Sequence, residues 1–274
     1  MRLRISHSTT YRYEPRAASI IQLLRLAPHD HEGQYIVDWQ IGVSSDARLH
    51  LQHDAFGNLV HILTQGPTSE ITINVDGLVD TNDTQGIVRG TMERFPPALF
   101  LRPTDLTASD AAISGLADEL RGEFSADTLG LLHALMAQLK RSMTFDIDPT
   151  HPGTTASEAY ALKRGVCQDY AHVFIACARR AGVPARFVSG HFLRSDGVVE
   201  QQAGHAWAEA FVPDLGWIGF DPANGICATE SHVRVATGLD YLGAAPVRGS
   251  RYGGGSEMLD VAVYVDQAGS QSQN

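Results

Sequence analysis

Residues Arg164–Gly190 read RGVCQDYAHVFIACARRAGVPARFVSG. This stretch decides the fold. From Cys167 to Ala181 the apolar residues recur at helical spacing, and Gly182 and Pro184 stop the run. The spacing predicts a helix that begins on a cysteine, followed by a strand, ARFVSGHF. A thiol in that position meets the unpaired N–H groups and positive dipole end of the helix, which favour an anion. A free cysteine is also a common small core residue. Choosing between these readings requires a partner for the thiol.

Outward from this helix the pattern divides. Downstream, HAWAEAFV, GWIGF and MLDVAVYVD read as strands. Upstream, ASDAAISGLADELRGE and DTLGLLHALMAQLKRSM read as helices, the first with Ser109 or Asp110 as N-cap. A short helix, SEAYALKR, is expected to end at Gly165. Further upstream, LRISHSTTYRYE, SIIQLLRLAP, QYIVDWQIGV and TSEITINVDGLVDT have strand character, and DAFGN at Asp54–Asn58 has hairpin chemistry. The prolines of RFPPALFLRP interrupt any regular element. The expected organisation is a β-rich domain over 1–100 and a second domain over 101–274, an α+β protein.

The 274 residues carry a formal net charge of −10, with 43% hydrophobic and 19% charged residues. That describes a globular chain and disfavours nucleic acid or an anionic membrane as partner. No apolar run is long enough for a membrane-spanning helix, and MRLRISHSTTYRYEP alternates like a strand instead of forming a signal-peptide core. Three cysteines, Cys167, Cys177 and Cys227, make no disulfide framework. A cytoplasmic location is expected. The twelve histidines include no HExxH, and neither CxxC nor an EF-hand loop occurs, so neither metal nor cofactor is expected. A zinc site built from Cys167, His205 and Asp221 is chemically possible, but a triad explains those residues better.

A reactive thiol needs a base and a group to orient that base. His205 opens the strand HAWAEAFV, Val212–Trp217 forms a turn with Pro and Gly, and the chain returns through GWIGFDPANG. A symmetric turn centred on Asp214–Leu215 places His205 opposite Asn224. Asp221 then lies three positions away, roughly 10 Å along a strand, unless a bulge or an asymmetric loop closes the gap. Spacing nominates both Asp221 and Asn224 and does not choose.

GVCQDYAHVFIACARRAGVPARFVSG, HAW, GWIGFDPANG and YLGAAPVRG together resemble the bacterial transglutaminase-like superfamily, whose members are often described as cysteine proteases. Residues Met1 to about Thr91 resemble its bacterial transglutaminase-like N-terminal region. The resemblance implies a papain-like core, with the helix-borne cysteine packed on an antiparallel sheet, behind a sandwich-like N-terminal domain. It implies Cys167 as nucleophile, His205 as general base and acid, and Asp221 as the residue that orients His205. Two positions depart from the family pattern: Leu239, where arginine is common, and Ala223, where threonine is frequent. Neither is a triad position.

The implied activity is a cysteine-dependent hydrolase that cleaves an amide or isopeptide bond of a peptide or protein through a thioester. Acyl transfer to an amine shares the first half-reaction and is the alternative, and a binding module with a decayed site is a third. Gln168 is a candidate oxyanion donor and Trp207 a candidate for lining the cleft. Asp169 suits a helix N-terminus on dipole grounds. His172, about 140° round the helix from Cys167, reads as a hydrogen-bonded core histidine, and Cys177, roughly 15 Å along the axis, as an inert core thiol. Glu209 shares a strand face with His205.

Overall fold

The alternation at the N-terminus becomes β1 (Arg2–Ala17), with Leu3, Ile5, Tyr11 and Tyr13 buried on one face. In the computed structural model, which describes residues 1–269, β1 lies in the middle of a five-stranded sheet. Its antiparallel neighbours are β6 (Thr68–Thr81) and β17 (Ser256–Gln267), and β3 (Gln34–Val43) and β11 (Glu200–Gln201) form the edges. A four-stranded sheet, β16 (Val247–Tyr252), β2 (Ser19–Ala27), β5 (Leu59–Gln65) and β4 (Arg48–His53), packs against it. Tyr11, Tyr13, Leu24, Leu63, Ile71 and Ile73 fill the space between them. The expected sandwich is present. DAFGN makes the β4–β5 turn: Asp54 Oδ1 accepts the N–H groups of Phe56 and Asn58, and Gly57 takes φ 88°.

The strand MLDVAVYVD belongs to this sandwich, pairing with β1 as part of β17. Conversely, β7 (Ile87–Val88) leaves the first hundred residues and pairs with β13 (Gly216–Asp221). The stretches 1–100 and 101–274 therefore exchange strands. An alternating strand carries no label for the sheet it will join.

The helices form as their caps direct. Asp110 accepts the Ile113 N–H at the start of α1 (Ala111–Glu123), and Asp127 accepts the Gly130 N–H at the start of α2 (Thr128–Ser142). A reciprocal Thr155–Glu158 capping box opens α3 (Ala156–Leu162). That helix ends on Lys163, at φ 55°, and not on Gly165. Gly165 sits instead in β9 (Arg164–Gly165), paired in parallel with β8 (Thr144–Phe145). The helix of the opening stretch is α4 (Cys167–Arg180), packed against the other three.

The central sheet runs β14 (Ile226–Cys227), β13, β12 (His205–Val212), β10 (Ala185–Phe192), β15 (His232–Gly238). Along β12, Ala206, Ala208 and Ala210 join the core beneath α4, and their small side chains let the helix lie close. His205, Trp207 and Glu209 alternate to the other face. Glu209 is fully buried there, 2.7 Å from both Arg186 and Arg234. Burial favours its protonated form, but the two guanidinium groups outweigh that and hold its pKa at about 2.

β15 is an edge strand, and the sandwich closes that edge. Gln34 accepts from the Arg234 N–H at 2.8 Å and donates to the Arg234 carbonyl at 2.9 Å. Asn58 does the same for Thr237, at 2.8 and 2.7 Å. Two side-chain amides thus stand in for a neighbouring strand. Among the described residues, no helix is long and apolar enough to cross a membrane.

Burial pulls several histidines below the ordinary value, His7, His31 and His172 to about 4 and His191 to about 3. The unfolded chain takes up protons at these positions below about pH 6.5, well before the folded chain does. Stability is therefore expected to fall as pH drops from 6.5 towards 4. Urea midpoints at pH 7, 5.5 and 4.5 check this, and a midpoint that stays level or rises contradicts it.

Candidate active site

The start of α4 is built around a close approach. Asp169, the third helical residue, turns back so that Oδ2 accepts the Val166 N–H and the Thr150 hydroxyl, each at 2.8 Å. A Cβ at position 165 would lie 2.5 Å from that oxygen, so glycine is what lets the carboxylate reach the chain just before Cys167. Gln168 donates to the Pro152 carbonyl at 3.2 Å. Both side chains tie the loop after β8 to the helix start.

The β12–β13 hairpin resolves the alternatives left by spacing. Its register pairs Val212 with Gly216 and Ala208 with Phe220, so it is centred on Asp214 itself, half a residue from the expected centre. Asp214 and Gly216 both take left-handed φ, 67° and 91°, which an odd-length loop demands here. Continued, that register sets Asp221 opposite Trp207, on the face that His205 shares. Asp221 and His205 are then diagonal neighbours, and no bulge is needed. Asp221 Oδ2 lies 2.6 Å from His205 Nε2. Asn224 converges too, but on the carboxylate: its Nδ2 donates to the same Oδ2 at 2.6 Å and its backbone N–H to Oδ1 at 3.1 Å.

A third group was not foreseen. His232 Nε2 lies 3.2 Å from Asp221 Oδ2. It arrives through β10, where Gly190 faces His205 and Phe192 faces His232, so both histidines occupy one face of three adjacent strands. A Cβ at Gly190 would meet the Val233 carbonyl at 2.0 Å and the Trp207 ring at 2.8 Å. Trp207 itself is 2% exposed. It packs edge-on against His232 and stacks near His205, forming the inner wall of the site, not an open cleft.

His205 has only 12% of its side chain exposed. Its Nε2 is directed at Asp221, and Cys167 at the start of α4 is near enough to act on the ring. Burial works against a charged ring, but Asp221 and Cys167 outweigh it and push His205 up to about 10. Burial likewise disfavours the charge on Asp221, yet His205 and His232 hold it well below the usual carboxylate range. His232 is drawn down by burial against the pull of Asp221. A cation–anion pair beside a thiol can accept and return a proton. His205, Asp221 and His232 also offer ligand atoms within 4.8 Å of one another. The 2.6 Å separation of Nε2 from Oδ2 is a hydrogen-bond distance, whereas donors on a tetrahedral zinc stand about 3.3 Å apart.

The remaining sequence-stretch residues are structural. His172 is fully buried, and its Nε2 accepts the Tyr241 N–H at 3.1 Å. Cys177 is fully buried, and burial pushes its thiol up to about 12.

Residues 114–222 match the transglutaminase-like superfamily core, and residues 3–80 match the bacterial transglutaminase-like N-terminal region. The chain belongs to the transglutaminase-like superfamily. An uncharacterized protein of Mycobacterium leprae is 28% identical over 281 residues, covering 96% of this chain and 98% of its own. A protein-glutamine gamma-glutamyltransferase of Pseudomonas aeruginosa is 30% identical over 152 residues, 51% of this chain and 23% of that protein. The fold is that of a Cytophaga hutchinsonii protein described as a candidate cysteine protease, with a TM-score of 0.77 at 20% identity over 100% of this chain and 92% of that one.

Gly190→Ala is expected to destabilise the fold by about 1–3 kcal/mol, because neither the Val233 backbone nor the buried indole can yield freely. Urea unfolding followed by tryptophan fluorescence measures it. Wild-type stability with an unchanged spectrum would contradict the packing described.

Proposed function

We propose that the protein is a cysteine hydrolase that cleaves an amide or isopeptide bond in a peptide or protein. One observation carries this reading: the His205 ring is hydrogen-bonded to the buried Asp221 carboxylate and stands close enough to the Cys167 thiol, at the start of α4, for that thiol to favour a proton on the ring. Cys167 Sγ attacks the carbonyl carbon, and the carbonyl π electrons move onto oxygen. The first N–H groups of α4, which as helix-start donors have no intrahelical acceptor, face the oxyanion. Gln168 is a second candidate donor there. The C–N bond then breaks, and His205 gives its proton to the departing amine. Water attacks the thioester, His205 takes a proton from it, and the acid leaves as the thiol re-forms. Asp221 keeps the ring oriented and stabilises its positive charge throughout. Three free cysteines support a reducing, cytoplasmic setting.

The likeness to the Pseudomonas gamma-glutamyltransferase favours a second reading, in which an amine resolves the same thioester. Incubation with candidate peptides and a primary amine separates the two, with mass spectrometry to identify both the Cys167 adduct and the products. The free acid is expected to dominate. Mostly amine adduct at modest amine concentration would make the protein a transferase, and no adduct on Cys167 would remove both readings.

On a cleaved peptide, Asp221→Asn is expected to lower kcat/KM by about 100-fold or more, since an amide cannot stabilise the imidazolium. Asn224→Ala should cost about tenfold or less, because it removes a donor to Asp221 and leaves the carboxylate in place. Circular dichroism confirms that both variants are folded. Reversed magnitudes would make Asn224 the orienting residue.

A further inference from the structure

Asp221 Oδ2 is a crowded acceptor. His205 Nε2 and Asn224 Nδ2 reach it at 2.6 Å and His232 Nε2 at 3.2 Å. The tautomer of His232 follows from its other nitrogen. The Thr229 backbone N–H points at His232 Nδ1 from 3.0 Å, so that nitrogen supplies a lone pair. Burial keeps the ring neutral, and its single proton is therefore on Nε2, directed at Asp221.

The ring is also fixed. Its side chain is 2% exposed, and it packs against Phe192 at 4.6 Å and Trp207 at 5.2 Å between centroids. The strand behind it, β15, is held by Gln34 and Asn58 of the sandwich. A neutral donor this rigid is more than packing against a buried carboxylate. In a dry site, a carboxylate with few donors is a strong base. It would hold the His205 imidazolium too tightly, and a ring that keeps its proton cannot pass it to a leaving group.

We propose that His232 is a positioning residue of this site: its Nε2–H fixes the Asp221 carboxylate and takes up part of its charge, so that Asp221 orients the His205 ring without holding its proton too tightly to be passed on. This rests on the reading of Cys167, His205 and Asp221 given above. The charged and titratable groups around His205 are Asp221 on β13, Cys167 on α4 and His232 on β15. Loss of His232 leaves Asp221 a stronger partner for the imidazolium, and the ring then gives up its proton less readily. A purely structural role predicts the opposite: a slackened Asp221 would release the ring and let its titration move towards the ordinary value.

Long-range ¹H–¹⁵N correlation of histidine-labelled protein reads this without turnover, so it can fail while the hydrolase reading stands, and the reverse. In the wild type, His232 is expected to be protonated on Nε2 and bare on Nδ1. In His232→Leu, the His205 titration midpoint is expected to move alkaline by roughly half a pH unit or more. In His232→Gln, whose amide N–H can occupy the place of Nε2–H, it should return close to the wild-type midpoint. A proton on Nδ1 of His232 in the wild type would overturn the proposal, as would an unchanged or lowered midpoint in folded His232→Leu. Should the leucine variant not fold, the wild-type tautomer and the glutamine variant decide: a glutamine midpoint displaced to the acid side also overturns it.

Discussion

A carboxylate with no exposed surface lies at the centre of this protein. Asp221 is fully buried, and a buried charge is tolerated only where donors surround it. Its two oxygens receive the Asn224 backbone and side chain, His205 and His232. Those donors come from three separate parts of the fold. The turn after β13 delivers Asn224, β12 delivers His205 and β15 delivers His232. The hairpin centre at Asp214, the missing side chain at Gly190 and the register of three strands are all requirements of that one anion. It in turn holds the His205 ring beside the thiol at the start of α4.

The sandwich has a part in this arrangement. It contributes no atom to the thiol–imidazole contact, yet Gln34 and Asn58 close the free edge of β15, the strand that begins with His232. Below them, Val233 packs with Leu3, Ile5 and Val265 in a small core shared between the sandwich and the sheet. A chain of ion pairs, Glu93, Arg186, Glu209 and Arg234, runs beside it; its two middle members are buried, and the Arg186 guanidinium lies 4.0 Å above the Trp217 ring. Removing one member of such a set strands a charge in a dry interior. The β-rich domain is thus a support for the far side of the site.

Local signals in the sequence carried a good part of this. Helix periodicity with Gly182 and Pro184 placed α4 to within a residue, and the strand-like run HAWAEAFV placed His205 at the head of β12. The strand-exchanging topology was not legible, because MLDVAVYVD alternates equally well for either sheet. The choice between Asp221 and Asn224 turned on half a residue of hairpin register, which the left-handed conformation at Asp214 decides and its side chain does not announce. His232 was missed altogether. It lies twenty-seven positions beyond His205 and meets it only because β10 pairs with both strands. Its one local mark is Thr229, three residues earlier, whose N–H sets the tautomer.

The central claim is that one of the three thiols is held as a reactive partner of an imidazolium and the other two are not. Brief iodoacetamide treatment of the folded protein near pH 6, followed by peptide mass spectrometry, tests it directly. Burial pushes Cys177 up to about 12 and also raises Cys227, while Cys167 stands against the His205 cation. Modification is expected at Cys167 alone, and it should be lost in His205→Ala while the fold persists. Equal labelling of all three cysteines, or labelling of Cys167 indifferent to His205, would contradict the account.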